Sequence, residues 1–415
     1  MKILQINNFE QLGGGSEKVY QMTVKTLLDH GHEVATLSCG DKSFDDRKYS
    51  ILLKKNSYLN AKPLRVVQNV REFIYRKEVV TAIEKLAYSF KPDIAHLHIF
   101  YGQLSSSVLS ALSRLKIPCV MTVHEYRLLC PVSTLYINNY GPCEKCAKGS
   151  KLNALINQCN KGSLYASLLS VSESYIRDHY FNYLDYVDHF FMVSNFCRRK
   201  HIEYIPRIEK KSSVLYNFIK NEDIATVPSN SPFASTFIYA GRISSEKGVD
   251  LLCSVFRERP NLRLKVAGDG PLLSFLQKKY KKCDNIVFMG RLTALELRLE
   301  IIKAKFSICP SEWYENNPMS ILESFSLGTP VIGASIGGIP ELVKEGLTGL
   351  LFKASERISL LDTLDRAHDM TLEERNNLGK ASFDLINEQH SEKAYYNKLN
   401  LCYINVINNY NANNL

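Results

Sequence analysis

The chain has 415 residues, of which 45% are hydrophobic and 23% charged, and a formal net charge of +10 at pH 7. That length predicts two domains of roughly 200 residues, each able to bury a core. No apolar run approaches the ~18 residues of a membrane span, and MKILQIN enters a strand pattern with no signal-peptide h-region ahead of it, so a cytoplasmic protein is expected. The positive charge points to acidic partners such as nucleotide sugars, lipid phosphates or an anionic membrane face, and no nucleic-acid module accompanies it.

Taken in chain order, the first half alternates short β-rich runs with helical patterns. KILQIN is followed by LGGGSEKVYQ, with Gly13, Gly14 and Gly15 at the mouth of a helix expected to start near Ser16. Glycines there admit close backbone approach to a ligand, with φ angles closed to other residues. A dinucleotide-binding G-x-G-x-x-G would need glycine at position 18, where Lys18 stands. VATLSC, PDIAHLH, IPCVMTVHE and HFFMVSN continue the strand series, with helical segments between them. Such alternation implies a parallel sheet with crossover helices.

Two stretches interrupt this pattern. Lys54, Lys55, Lys62, Arg65, Arg71, Arg76 and Lys77, interleaved with Tyr58, Phe73 and Tyr75, read either as a membrane-surface patch or as a solvated helix face. Cys130, Cys143, Cys146 and Cys159 follow C-x12-C-x2-C-x12-C. The central pair has metal-ligand spacing, and four thiolates could close a structural zinc site; ordinary thiols give the same pattern. With 11 cysteines and no signal peptide, reduced thiols are expected rather than a disulfide framework.

Beyond the polar stretch Lys220–Ser235 the alternation restarts with TFIYAG, LRLKVAGDG, NIVFMG, FSICP and PVIGAS. The fold class expected is α/β, with two successive doubly wound domains and a cleft between them: 1–219, 220–392, and a closing helix over 393–415. Ligands in such sheets bind beyond the carboxyl ends of the strands, where the glycine-rich turns fall. GRISSEKG puts Arg242 and Lys247 after a strand end, placed to face a pyrophosphate. In EWYENNPMSILE, Glu315 and Glu323 lie eight positions apart, about 80° around a continuous helix, so Glu315 is expected in the loop before it. Asn317 suits the N-cap and Pro318 the first helical position, leaving the amides of Met319, Ser320 and Ile321 outward.

Together GGGSEKVYQ, TVHEY, YAGRISSEKG, AGDGP, FMGRL, ENNPMSILESFSLGTPVI and IGGIPELV resemble the retaining GT-B glycosyltransferases of family 4, in order over nearly the whole chain. The resemblance implies two Rossmann-like domains, the N-terminal one binding acceptor and the C-terminal one a nucleotide-sugar donor. It implies that Arg242 and Lys247 bind the pyrophosphate, Glu315 the donor-sugar hydroxyls and Glu323 the ribose. Asn317, Pro318, Met319 and Ser320 would touch sugar and phosphate through their backbone, while Gly290, Arg291 and Leu292 would flank the base. His124 would stand near the reacting sugar carbon, and Gly14 and Gly15 in the loop over the phosphates. Where the family often has Asp after that histidine, this chain has Glu125.

The segment HEYRLLCPVSTLYINNYGPCEKC resembles bacterial enzymes of surface-polysaccharide assembly. This implies a hexosyltransferase-type enzyme that extends a saccharide or polyprenyl-linked saccharide on the inner face of the cell membrane. No Asp-x-Asp triplet that would hold a divalent metal occurs in the cleft-forming turns. No cofactor is therefore expected for catalysis; Arg242, Lys247 and the helix end before Met319 would stabilise the departing diphosphate. A sugar-nucleotide epimerase and an inactive assembly scaffold are the alternatives on the same fold.

Overall fold

The computed structural model describes residues 1–10, 13–40, 48–56, 66–138, 140–220 and 236–413. The polar stretch expected to link the domains lies, apart from Lys220, outside the described residues. So do Tyr58, Lys62 and Arg65 of the basic run.

The strands in chain order are β1 (Lys2–Phe9), β2 (Glu33–Cys39), β3 (Ser50–Leu53), β4 (Ile94–Leu97), β5 (Cys119–Val123), the short pair β6 (Tyr136–Ile137) and β7 (Gly141–Pro142), then β8 (His189–Met192) and β9 (Ser212–Val214). The second half supplies β10 (Thr236–Ala240), β11 (Arg263–Ala267), β12 (Ile286–Gly290), β13 (Phe306–Cys309), β14 (Val331–Ala334) and β15 (Gly349–Phe352). They form one seven-stranded sheet, ordered β3-β2-β1-β4-β5-β8-β9, and one six-stranded sheet, ordered β12-β11-β10-β13-β14-β15. Every neighbour pair in both sheets is parallel. Helices cover the sheets, and central-strand residues such as Ile3, Leu4, Ile6, Phe237 and Ile238 are fully buried. This is the α/β, doubly wound class expected of a GT-B chain.

The chain divides into two compact units that are not simple halves. The first comprises Met1–Leu135, Glu144–Leu215 and Tyr396–Leu415; the second comprises Tyr136–Cys143 and Tyr216–Tyr395. The boundary thus falls at 215/216 rather than 219/220, and the β6–β7 hairpin goes with the second unit. The last helix, Glu392–Asn413, belongs mostly to the first unit, where Tyr396 stacks on His30 with ring centroids 3.6 Å apart.

The interrupting segment in the first unit is held by buried ion pairs. Arg177 donates to both carboxylate oxygens of Glu173, at 3.2 and 3.0 Å, and to the Arg127 carbonyl at 3.1 Å. Arg127 pairs with the same Glu173, and Lys151 pairs with Asp178. Cys146 packs with Ala154 and Val171, with Cys159 and Tyr175 against them. Burial raises the Cys130 thiol, against the backbone amides of Leu135, Val132 and Thr134 that favour its thiolate. Among the described residues no group of three or more His, Cys, Asp or Glu is placed to hold a metal ion.

The basic run needs a correction at one position. Lys54, Lys55, Arg71 and Lys77 are exposed, but Arg76 is buried, donating to the carbonyls of Lys54 (2.9 Å) and Gln103 (3.1 Å) and pairing with Glu78 at 2.7 Å. Its aromatic neighbours also have packing partners: Tyr75 stacks on Phe181, and Phe73 lies so close to Gly102 that a Cβ there would stand 2.9 Å from its ring. Arg76 is a structural cation, not a surface one.

Candidate active site

In the second unit the sheet order reverses between β10 and β13, the adjacent strands from which successive crossovers run in opposite directions. Loops leaving the carboxyl ends of two such strands diverge and leave a crevice between them. The loop after β10 carries Arg242 and Lys247; the loop after β13 carries Ser311, Trp313 and Glu315. The topology therefore brings together side chains 68 positions apart in sequence.

At their meeting point the Lys247 Nζ donates to Glu315 Oε1 at 2.5 Å, and the Ser311 hydroxyl donates to the same oxygen at 2.6 Å. The ammonium also lies 4.7 Å from the centre of the Trp313 ring. Glu315 is buried, and burial alone would push its carboxyl up; Lys247 and Ser311 outweigh that and hold it below the usual carboxylate value. Burial likewise opposes the Lys247 charge, and the Glu315 carboxylate overcomes it and raises the ammonium. Both groups are thus held ionised.

Two glycines make this approach feasible. Gly248 ends the Ser245–Lys247 turn with φ +66°, and a Cβ there would strike the Pro310 carbonyl oxygen at the end of β13. Gly337 has φ +62°, and a Cβ would stand 2.7 Å from the Glu315 amide nitrogen. Both the left-handed backbone and the space require glycine.

Glu315 sits in the loop before the helix Met319–Phe325, and Glu323 lies on that helix, half-buried. The helix start is one residue later than expected: Pro318 occupies the N-cap with extended ψ, and Met319 is the first helical residue. Asn317 does not cap. It is buried and clasped by Asn217, whose amide donates to Asn317 Oδ1 at 3.0 Å and whose Nδ2 donates to the Asn317 carbonyl at 2.8 Å. Met319 is buried, and Pro318 and Ser320 are half-buried beside it.

Arg242 is exposed and makes no ion pair among the described residues; its carbonyl accepts from the Tyr239 hydroxyl at 2.6 Å. Gly290 closes β12 with φ +67°, followed by exposed Arg291 and half-buried Leu292. The hairpin β6–β7 joins this side of the unit: the Tyr136 hydroxyl donates to Glu312 at 3.5 Å, and Ser245 donates to Asn138 at 2.9 Å.

In the first unit the helix after the glycine run begins at Gly15, with Gly14 as N-cap. Gly14 has φ −170°, an extended backbone open to any residue, and none of Gly13, Gly14 and Gly15 has a positive φ. Their exposure, rather than a special backbone, is what distinguishes them. His124 follows β5, its Nε2 2.9 Å from the His98 Nδ1, and burial pushes its imidazolium down to about 4. Burial raises the carboxyl of Glu125, against the pull of Arg127 and a hydrogen bond from Ser133.

Sequence reading missed Ser311, Trp313, Asn217 and His98. Trp313 lies inside EWYENNPMSILE and Ser311 one position ahead of it, between the strand end and Glu315. Asn217 and His98 left no local signal, because each reaches its partner across about 100 or 26 positions.

Two family models match: "Glycosyltransferase Family 4" over residues 13–223 and "Glycosyl transferases group 1" over residues 220–384. The chain is 24% identical over 344 residues to an uncharacterized 42.6 kDa protein in the cps region of Klebsiella pneumoniae, covering 79% of this chain and 83% of that protein. It is 36% identical over 151 residues to the sulfoquinovosyl transferase SQD2 of Arabidopsis thaliana, covering 35% of this chain and only 28% of the relative. The O-antigen biosynthesis glycosyltransferase WbnH of Escherichia coli is 29% identical over 161 residues, 37% of this chain and 46% of WbnH. Among solved structures, Anabaena HepE in complex with UDP and glucose superimposes with a TM-score of 0.64 at 14% identity, over 97% of this chain and 99% of HepE. The family model spanning half the chain and the two doubly wound units agree: this chain belongs to glycosyltransferase family 4.

Proposed function

We propose that this glycosyltransferase moves a hexose from a nucleoside-diphosphate sugar to a saccharide or polyprenyl-linked saccharide of a cell-surface polysaccharide, with retention at the anomeric carbon and without a divalent metal. The observation that carries this reading is the Lys247–Glu315–Ser311 cluster at the β10/β13 switch. A carboxylate has about four lone-pair sites, of which Oε1 uses two here, so Glu315 can also accept from sugar hydroxyls. An ammonium has three donors, and Lys247 can turn its remaining ones, with Arg242, toward a diphosphate. Glu323 on the following helix takes the ribose, and His124 the reacting end of the sugar.

Charge accounting gives these residues their work. The bond from the anomeric carbon to the phosphate oxygen breaks, its electron pair leaves with the diphosphate, and the sugar carbon becomes electron-poor. Cations already fixed beside the diphosphate lower that barrier without reorganising during the step. The acceptor oxygen then bonds to the anomeric carbon on the same face, and its proton passes to the departing phosphate oxygen. The UDP and glucose in HepE and the O-antigen role in the name of WbnH support the donor class and the pathway class.

A lipid-linked acceptor requires contact with an anionic membrane. Besides Lys54, Lys55, Arg71 and Lys77, the segment 145–168 supports this partner: it exposes Leu152, Ile156, Leu164 and Leu168 among the exposed Lys145, Lys148 and Lys161, and carries no carboxylate. Apolar side chains among cations suit a bilayer face rich in acidic lipid.

Thermal stabilisation by a panel of UDP-, GDP- and TDP-sugars tests the donor class, because only a ligand of the native state raises the melting temperature. The preferred donor, incubated with oligosaccharide acceptors in EDTA, should yield a product of unchanged anomeric configuration by proton NMR. No stabilisation by any of them, or an inverted product, would overturn the proposal.

A further inference from the structure

A line of buried polar side chains crosses the first unit behind His124. Strands β1, β4 and β5 are neighbours in the sheet, and side chains two apart on a strand share a face. His96 and His98 therefore stand together on β4 and its exit, as do Thr122 and His124 on β5 and its exit, while Gln5 is in register with His96. Tyr403 of the last helix completes the set.

Contacts join these groups end to end. The His124 Nε2 is 2.9 Å from His98 Nδ1, and His98 Nε2 is 3.0 Å from Gln5 Oε1. The Gln5 Nε2 donates to the Tyr403 hydroxyl at 3.2 Å, that hydroxyl lies 2.6 Å from His96 Nδ1, and His96 Nε2 is 2.7 Å from the Thr122 hydroxyl. The rings also stack, with centroids 4.4 Å apart for His96 and His98 and 5.2 Å for His98 and His124. Burial pushes His96 down to about 3 and His98 well below its ordinary value, so the imidazoles are neutral.

A neutral imidazole has one donor and one acceptor, so each contact dictates the next. Gln5 Oε1 can only accept, which puts the His98 proton on Nε2 and leaves its Nδ1 as acceptor. His124 must then donate from Nε2. In the other direction, Gln5 Nε2 donates to the Tyr403 oxygen and also faces His96 Nδ1 at 3.4 Å, which makes that nitrogen an acceptor, so Tyr403 donates to it as well. His96 donates in turn to Thr122. Turning the Gln5 amide over would reverse every bond and move the His124 proton to Nδ1, so the amide orientation sets the polarity of the whole line.

We propose that Gln5, His98 and Tyr403 are positioning residues that hold His124 as its Nε2–H tautomer, with Nδ1 kept as the acceptor. The functional consequence rests on the reading of His124 as a donor-sugar residue: a sugar hydroxyl can donate to Nδ1 in this tautomer and would meet a second donor in the other.

The test uses the full-length chain labelled with 15N-histidine, in which ring couplings distinguish Nε2–H from Nδ1–H, and His124→Gln assigns the signal. The expected result is Nε2–H at His124 in the wild type. Gln5→Leu and the milder Tyr403→Phe should give a mixture of tautomers, with kcat lowered roughly tenfold or more and the donor KM within about threefold. Nδ1–H or a mixture in the wild type, or an unchanged tautomer in Tyr403→Phe, would overturn the proposal. If the tautomer shifts as expected while His124→Ala transfers sugar at the wild-type rate, the positioning stands and the reading of His124 fails.

Discussion

The Lys247–Glu315 pair is where single side chains decide most. Removing one partner leaves the other charge buried and uncompensated, which costs more than the pair contributes. Lys247→Met and Arg242→Ala should each lower turnover by at least about 100-fold, the order of loss for one preorganised donor; initial rates within threefold of wild type in both would sink their assignment to the diphosphate. The pair also sets a pH response. Because the Glu315 carboxyl is lowered in the fold, its contribution to stability is present above its usual 4.5 and lost as pH falls through the lower folded value. Melting curves of Glu315→Gln should therefore converge on those of the wild type in strong acid.

The two carboxylates should separate in binding. Glu323→Ala should weaken nucleoside diphosphate and donor alike, by about 1.5 to 3 kcal/mol for one charged hydrogen bond, whereas Glu315→Ala should weaken only the donor. Titration calorimetry with the nucleoside diphosphate decides this, and equal losses in the two variants would contradict the division of labour. The spacing of Glu315 and Glu323 was legible because helical geometry is local. The partnership of Glu315 with Lys247 was not, since it depends on which strands become neighbours.

At the scale of elements, central strands and the edge strand β12 were legible, and the three shorter edge strands were not. β1, β4, β5, β10 and β13 are apolar runs between helical segments, buried on both faces. β3, β9 and β15 are sheet edges of three or four residues, and SSV or SILL carries little signal at that length. The helix Met319–Phe325 was found, but its start slipped by one residue because Asn317, a good N-cap by type, is taken by Asn217.

The basic run tests the same distinction between surface and core. Arg71→Glu with Lys77→Glu reverses two exposed cations, each worth about 1 kcal/mol near an acidic surface. The fold should hold, while co-sedimentation with phosphatidylglycerol vesicles weakens and fades further in salt. Arg76→Glu should instead unfold the region, because its guanidinium is buried among carbonyls. Identical sedimentation of wild type and double variant, at low and high salt, would return this run to an ordinary solvated face.

Across the molecule, the histidines whose imidazolium burial pushes far below 6.5 cluster in the first unit, although the second also buries His390, and this gives the two units different responses to acid. Burial lowers His96 to about 3 and His124, His189 and His201 to about 4, with His98 also well down. All five lie in the first unit. In the unfolded chain they take up protons near 6.5, whereas the folded unit refuses them until far lower pH. Each therefore contributes stability that is fully present above about 6.5 and lost as pH falls toward the folded value, at up to about 1.4 kcal/mol per pH unit. The lowered carboxyl of Glu315 in the second unit begins to matter only below 4.5. Between pH 7.5 and 5 the first unit should lose stability while the second holds, so a calorimetric transition that is single or closely overlapped at pH 7.5 should split at pH 5, its lower component moving with pH. Replacing His96 and His201 with phenylalanine, which keeps an apolar ring and removes the proton site, should reduce the shift of that component. A profile that moves as one transition between the two pH values, or a shift unchanged by both replacements, would show that these histidines do not carry the acid sensitivity.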